Sequence, residues 1–373
     1  MSMVHGKNQH FVPQSYFRRF SNDGKTICLF NLKNKKFITN ASIKGQCSKN
    51  YFYSKNTDIE TEFSKLEDHM NRLISQIIEN QNLSCLNEEE QFHLKTHLLF
   101  QHGRTEYARE SEEETANALF DMFKPNISKY AEEQGLKMTP EEIKNLKIKS
   151  DSQNSLFFSM TSGILLADLN MVLLENKTKT DFIFSDNPVI LYNSFFNENV
   201  LEGTQGIASR GLQIYFPLNS KLALFIFDPN FYDVGKKEVV YIRKDSDIQR
   251  LNGLQILYCN ETIYFENAKM QKDILLRHNQ LKSKRPSQKT DNRVVASRIT
   301  EDGKYAELWR TTNTKIKYDL EKLSFLKHKD NDIPPGIRNS PLVDINKMMI
   351  DAIEEGKIKS QEDLKKFFDN LQR

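Results

Sequence analysis

A chain of 373 residues, 38% hydrophobic and 28% charged, has the composition of a globular protein able to build a sizeable core, in one large domain or two ordinary ones. Its 53 basic and 50 acidic residues leave a net charge of +3, which argues against a protein that coats nucleic acid through bulk charge but leaves room for a local basic groove. Cys28, Cys47, Cys85 and Cys259 lie too far apart for a CxxC metal knuckle, the N-terminus has no signal-type apolar core, and no apolar run approaches the roughly 18 residues that span a bilayer. The expectation is a cytoplasmic protein with buried free thiols and no membrane partner.

The first structured stretch, His10 to Phe20, gathers an imidazole, Pro13, the rings of Phe11, Tyr16, Phe17 and Phe20, and the guanidiniums of Arg18 and Arg19. That density reads as site-forming. Thr26–Phe30 and Lys36–Ile38 are strand-like around the turn residues Asn31 to Lys35, a small hairpin suited to holding the arm. From Asp58, apolar residues at Ile59, Phe63, Leu66, Met70, Leu73 and Ile77 recur at helical spacing, with Thr57 as cap.

A second helix is expected to start after Asn87, where Glu88, Glu89 and Glu90 suit the positive end of the helix dipole, and to run to about Phe123. His93, His97 and Gln101 follow one another at i, i+4 and i+8, and Arg104 with Thr105 continues that face beside Leu94, Leu98 and Leu99. The competing reading of this stripe is a solvated polar face with satisfied histidines.

Lys124 to Lys149, with Pro125 and Pro140, reads as an exposed excursion carrying a short helix. Ser150 to Glu175 reads as a third helix with Leu156, Phe157, Met160, Ile164, Leu165, Leu169 and Val172 on its buried face. Strands are then predicted at 181–184 and 189–192, separated by the turn set Ser185–Asp186–Asn187–Pro188, and at 212–216, 222–227 and 239–242. Helical spacing returns over 245–259 and 268–281. The predicted class is α+β: an N-terminal hairpin and long helices packed with an antiparallel sheet.

Residues 282–293 form a basic, proline-containing run that reads as a linker between a core at 1–281 and a small α/β appendage at 294–373. The appendage is expected to hold a β-pair over Tyr305 to Tyr318, including Trp309, a break at Asp332 to Gly336, and short helices at about 342–354 and 360–371. No GxxxxGK[ST] loop, no GxGxxG and no HExxH occurs. His93 and His97 have the spacing of two ligands to one metal, but Leu94 stands where a metalloprotease has its glutamate, and zinc needs a third protein ligand.

His10-x-x-Pro13-x-x-Tyr16-x-x-x-Phe20 resembles the opening motif of the bacterial domain-of-unknown-function family 4238. Gln101–His102–Gly103–Arg104–Thr105 and Ser185–Asp186–Asn187–Pro188 resemble its second and third motifs, so the resemblance covers roughly residues 7 to 280. Members occur among bacterial anti-phage defence genes; the resemblance therefore implies a defence role and no particular chemistry.

The residues themselves suggest a composite polar site. His10 can act as general acid or base near neutral pH, and Asp186 could orient it or bind a divalent metal. Arg104, with Arg18 or Arg19, could hold a phosphate by bidentate hydrogen bonds, Gln101 and His97 would line the same face, and Tyr16 could stack on a base or donate to a phosphate oxygen. This set suits phosphodiester hydrolysis of RNA or DNA by an anti-phage effector. It equally suits a non-catalytic sensor that recognises a phage protein or an anionic ligand, and the bland alternative is a buried network of His10, Asp186 and Arg104 that ties arm, helix and sheet together.

Overall fold

The computed structural model describes residues 8–52, 57–149, 157, 159, 161–196, 204–235, 237–285, 290–299, 305–313, 318, 320, 322–330 and 332–371. The chain opens with β1 (Asn8–His10) and a single-turn helix α1 (Gln14–Arg18), then forms the expected hairpin from β2 (Thr26–Asn31) and β3 (Lys36–Ser42). A short β4 (Ser48–Asn50) returns to pair antiparallel with β1. The arm is thus tied into structure at both ends.

Two helices, α2 (Thr57–Asn80) and α3 (Glu88–Gly103), pack as an antiparallel pair, with the Phe63 and Phe100 rings 5.1 Å apart near one end. Asn87 and Glu90 make a reciprocal capping box at the start of α3, as the Asn-Glu-Glu-Glu opening predicts. The expected run of this helix to Phe123 is corrected by a break at Arg104–Thr105. There Thr105 Oγ1 accepts from the Ala108 N–H and caps a new helix, α4 (Glu106–Glu133), followed by α5 (Pro140–Asn145).

The expected third helix over 150–175 is also corrected. Gly163–Leu166 is one turn of 3-10 helix and β5 (Asn170–Asn176) is a strand, while Leu156 and Met160 lie outside the described residues. The consecutive apolar residues Val172, Leu173 and Leu174 explain the misreading: a strand buried on both faces shows no alternation that would distinguish it from a buried helix.

There follow β6 (Phe184–Ser185), β7 (Ile190–Tyr192), β8 (Gln213–Pro217), β9 (Leu222–Phe227), β10 (Tyr232–Asp233) and β11 (Val239–Ile242). After α6 (Asp245–Tyr258) comes β12 (Thr262–Phe265), which sequence reasoning did not find, and then α7 (Gln271–Leu281). One sheet has the order β11-β5-β9-β8-β7 and the other β3-β2-β12-β6; pairing is antiparallel except at the edge, where β11 runs parallel to β5. The class is α+β. Leu173, Leu224, Ile226, Ile214 and Phe216 turn one face of the first sheet to the arm and to α2 and α3, whereas Val172, Leu174, Phe225 and Tyr215 turn the other to α6.

Beyond α7, β13 (Thr290–Ile299) and β14 (Tyr305–Asn313) pair as a hairpin beside α4. The expected linker therefore ends inside a strand, at Thr290 to Arg293, and its residues 286–289 lie outside the described residues. The chain then returns to the core. Tyr318, Leu320, Leu323 and Leu326 are buried in the cluster around α6, and β15 (Lys327–His328) pairs with β10. Arg338, almost wholly buried, donates through Nε to both carboxylate oxygens of Asp168, at 2.9 and 3.0 Å. The stretch from Tyr318 to Arg338 is accordingly part of the core packing, whereas the expected division placed it in a separate appendage. The final helices, α8 (Ser340–Glu354) and α9 (Gln361–Leu371), fall where the pattern predicts. No helix among the described residues is long and apolar enough to cross a membrane.

Candidate functional site

The arm is anchored by its rings. Tyr16, Phe17 and Phe20 are buried, and Phe184 of β6 lies 4.6 to 5.1 Å, centroid to centroid, from all three. Burying a phenyl ring is worth about 2–3 kcal/mol, so these three contacts alone fix α1 on the second sheet. Tyr16 also stacks on Phe216, and its hydroxyl donates to the Pro217 carbonyl at 2.5 Å. Tyr16 is thus a core residue, and the expectation that it stacks on a base or donates to phosphate is corrected.

The polar face of α3 reads the arm's backbone. Gln101 donates from Nε2 to the Phe11 carbonyl at 3.0 Å, and Arg104 donates from Nη2 to the His10 carbonyl. Arg104 is 2% exposed; its Nη1 lies 2.6 Å from Glu67 Oε1 on α2, and its guanidinium sits 5.2 Å from the Phe100 ring centre. A buried guanidinium needs an anion, and here the anion is Glu67 rather than the expected Asp186 or a phosphate. Glu67 carries no local signal: it is one polar residue beside the stripe of α2, and only the antiparallel packing of α2 on α3 brings it to Arg104. Arg19 is likewise committed, donating through Nη2 to both the backbone and side-chain oxygens of Asn71.

Asp186 stands at the corner between β6 and β7 and is buried. Its Oδ1 accepts from the Asn260 N–H at 2.7 Å, and its Oδ2 from those of Glu261 and Thr262 at 2.6 and 2.9 Å. These three donors lie in the turn that leads into β12, so the carboxylate holds that turn in place of its expected role with His10 or a metal. Burial pushes the carboxyl up to about 6, against three N–H bonds that favour the anion. The corner reaches the arm by another route: His102 Nδ1 lies 3.1 Å from the Val189 carbonyl, joining α3 to the segment after Pro188.

What faces solvent is a smaller set. Gln14 Nε2 lies 3.3 Å from His10 Nε2, and Gln14 Oε1 accepts from Arg18 Nη2 at 3.3 Å, so one amide bridges the imidazole and an exposed guanidinium on a single turn. His10 Nε2 is also 3.3 Å from the Lys44 carbonyl. His97, expected to line the same face as Arg104, instead joins a separate group with His69 and His93 in the α2–α3 seam, its ring 5.2 Å from that of His69.

Arm, helix and corner are thus brought together as one α+β core in which the three motif segments brace one another, and the chain belongs to the family described as Protein of unknown function (DUF4238), which matches its residues 8–269. All three motif segments fall inside that span. No curated protein and no solved structure matches the chain.

Proposed function

We propose that the protein is a component of anti-phage defence that recognises an anionic ligand, with nucleic acid the first candidate, through the His10–Gln14–Arg18 face of its arm, and that it does so without carboxylate-assisted phosphodiester hydrolysis. The observation that carries this reading is the commitment of the other expected catalytic groups to the chain itself: Arg104 to Glu67 and the His10 carbonyl, Asp186 to three backbone N–H groups. The remaining pair, an imidazole and an exposed guanidinium bridged by one amide, is chemistry for holding an anion. A phage protein that presents acidic groups fits the same face.

The test uses total RNA, tRNA and plasmid DNA, with and without divalent metal, together with a labelled single-stranded oligonucleotide. The expected outcome is salt-dependent binding of the oligonucleotide, weakened about tenfold by Arg18→Ala or His10→Ala at unchanged melting temperature, with no cleavage of any substrate. Cleavage that is lost in His10→Ala would replace this reading with the hydrolase.

A further inference from the structure

The α2–α3 seam holds three imidazoles that the arm does not use. His93 and His97 stand one turn apart on α3, and His69 of α2 faces both, its ring centre 5.8 Å from that of His93 and 5.2 Å from that of His97. His97 is more than nine-tenths buried. Its Nδ1 lies 2.5 Å from the His93 carbonyl, an acceptor only, so Nδ1 carries the proton and Nε2 presents its lone pair. That Nε2 is buried without a hydrogen-bond partner. An imidazole with one nitrogen donating to a backbone carbonyl and the other bare and buried is in the state of a metal ligand held by its outer hydrogen bond.

We infer that His69, His93 and His97 form a site for one divalent transition-metal ion of the zinc, cobalt or nickel type. Imidazoles bound to one zinc at about 2.0–2.1 Å have ring centres roughly 5 Å apart, close to both distances here. The α3 pair supplies the i, i+4 half of the ligand set, and the antiparallel packing supplies the third ring that the sequence did not reveal. Among the described residues no three His, Cys, Asp or Glu side chains already converge on one ion position. The group in the way is Arg72, whose Nη2 lies 3.4 Å from His69 Nδ1. Arg72 is half exposed and also contacts Glu90 and Gln76, at 3.2 and 3.3 Å, so it can leave His69 while keeping those partners. Glu89, 4.0 Å from His93 Nε2, adds negative charge on the open side.

The experiment titrates tag-free, chelator-treated full-length protein with Co²⁺, followed by visible absorption, and then displaces it with Zn²⁺. A single saturating ion with the visible bands of nitrogen-coordinated cobalt is expected. His69→Gln, His93→Gln and His97→Gln should each weaken binding about 100-fold, whereas Arg72→Gln should tighten it by removing the competing cation. His93 is partly exposed, so His93→Gln tests the site even where loss of buried His97 disturbs folding. No saturable binding, or binding that survives His69→Gln unchanged, overturns the three-ligand site.

Discussion

Arg104 and Asp186 carry opposite charges into the same half of the molecule, and the chain compensates them by different means. The guanidinium meets a carboxylate from a neighbouring helix and a carbonyl of the arm; the carboxylate meets only backbone N–H groups of one turn. A full opposite charge keeps Arg104 ionised where it is buried, whereas three dipoles leave desolvation dominant at Asp186, and its carboxyl rises to about 6. Residues that look alike in a motif can therefore do different work: one clamps two elements and the arm together, and the other shapes a loop.

The largest effect is expected at the clamp. Arg104→Ala should cost about 3 kcal/mol in urea denaturation, since it strands Glu67 and the His10 carbonyl; Glu67 is partly exposed and can rehydrate, which keeps the loss below the upper range for buried pairs. A double-mutant cycle of Arg104→Ala with Glu67→Ala should show about 1 kcal/mol of coupling or more, while Arg104→Ala with Asp186→Ala should add to within about 0.5 kcal/mol. Coupling of the second pair as strong as the first would restore the direct Arg104–Asp186 pairing and undo the contrast.

Asp186→Ala comes next, at about 2 kcal/mol, because it leaves three turn N–H groups without their acceptor. Its pH behaviour sharpens the comparison further. The folded carboxyl lies near 6 against an ordinary 3.8, so between these values the native state keeps a proton that the unfolded chain has lost. The contribution of Asp186 to stability is therefore greatest below about pH 4 and falls as pH rises to 6. Asp186→Asn should remove that slope, and its cost relative to the unmodified protein should be larger near pH 4 than at pH 7. A cost that grows toward pH 7 would show the backbone dipoles to outweigh burial.

Tyr16→Phe, in the arm, should cost about 1 kcal/mol, the worth of one buried neutral hydrogen bond, and leave oligonucleotide binding unchanged. Loss of binding there would return Tyr16 to the ligand site. The smallest effect is expected from a protease site introduced between Lys282 and Arg293. After the nick, the two fragments should stay together on size exclusion, since Leu320, Leu323 and Leu326 are buried around α6; separation of the fragments would mean that the C-terminal part is held only by the chain connection.

The arm's role as an anchor, the β2–β3 hairpin, the capped start of α3 and the two final helices were legible in the sequence because each rests on a local pattern: ring density, turn residues, a capping box, a 3.6-residue period. β5 and β12 were not. The first is apolar on both faces and imitates a buried helix, and the second is only four residues long between a helix and a turn. At the site, the motif residues themselves stood out, yet their partners did not: Glu67, Asn71, His69, and the turn donors of Asn260, Glu261 and Thr262 lie between 35 and 76 residues away from them in sequence or on another helix. Sequence alone determined which charged and aromatic groups this protein carries and the local elements that present them. Which of those groups neutralise one another was decided by the packing of α2 on α3 and of β6 against β12, because a buried charge takes whatever compensating group the tertiary fold places within hydrogen-bond reach.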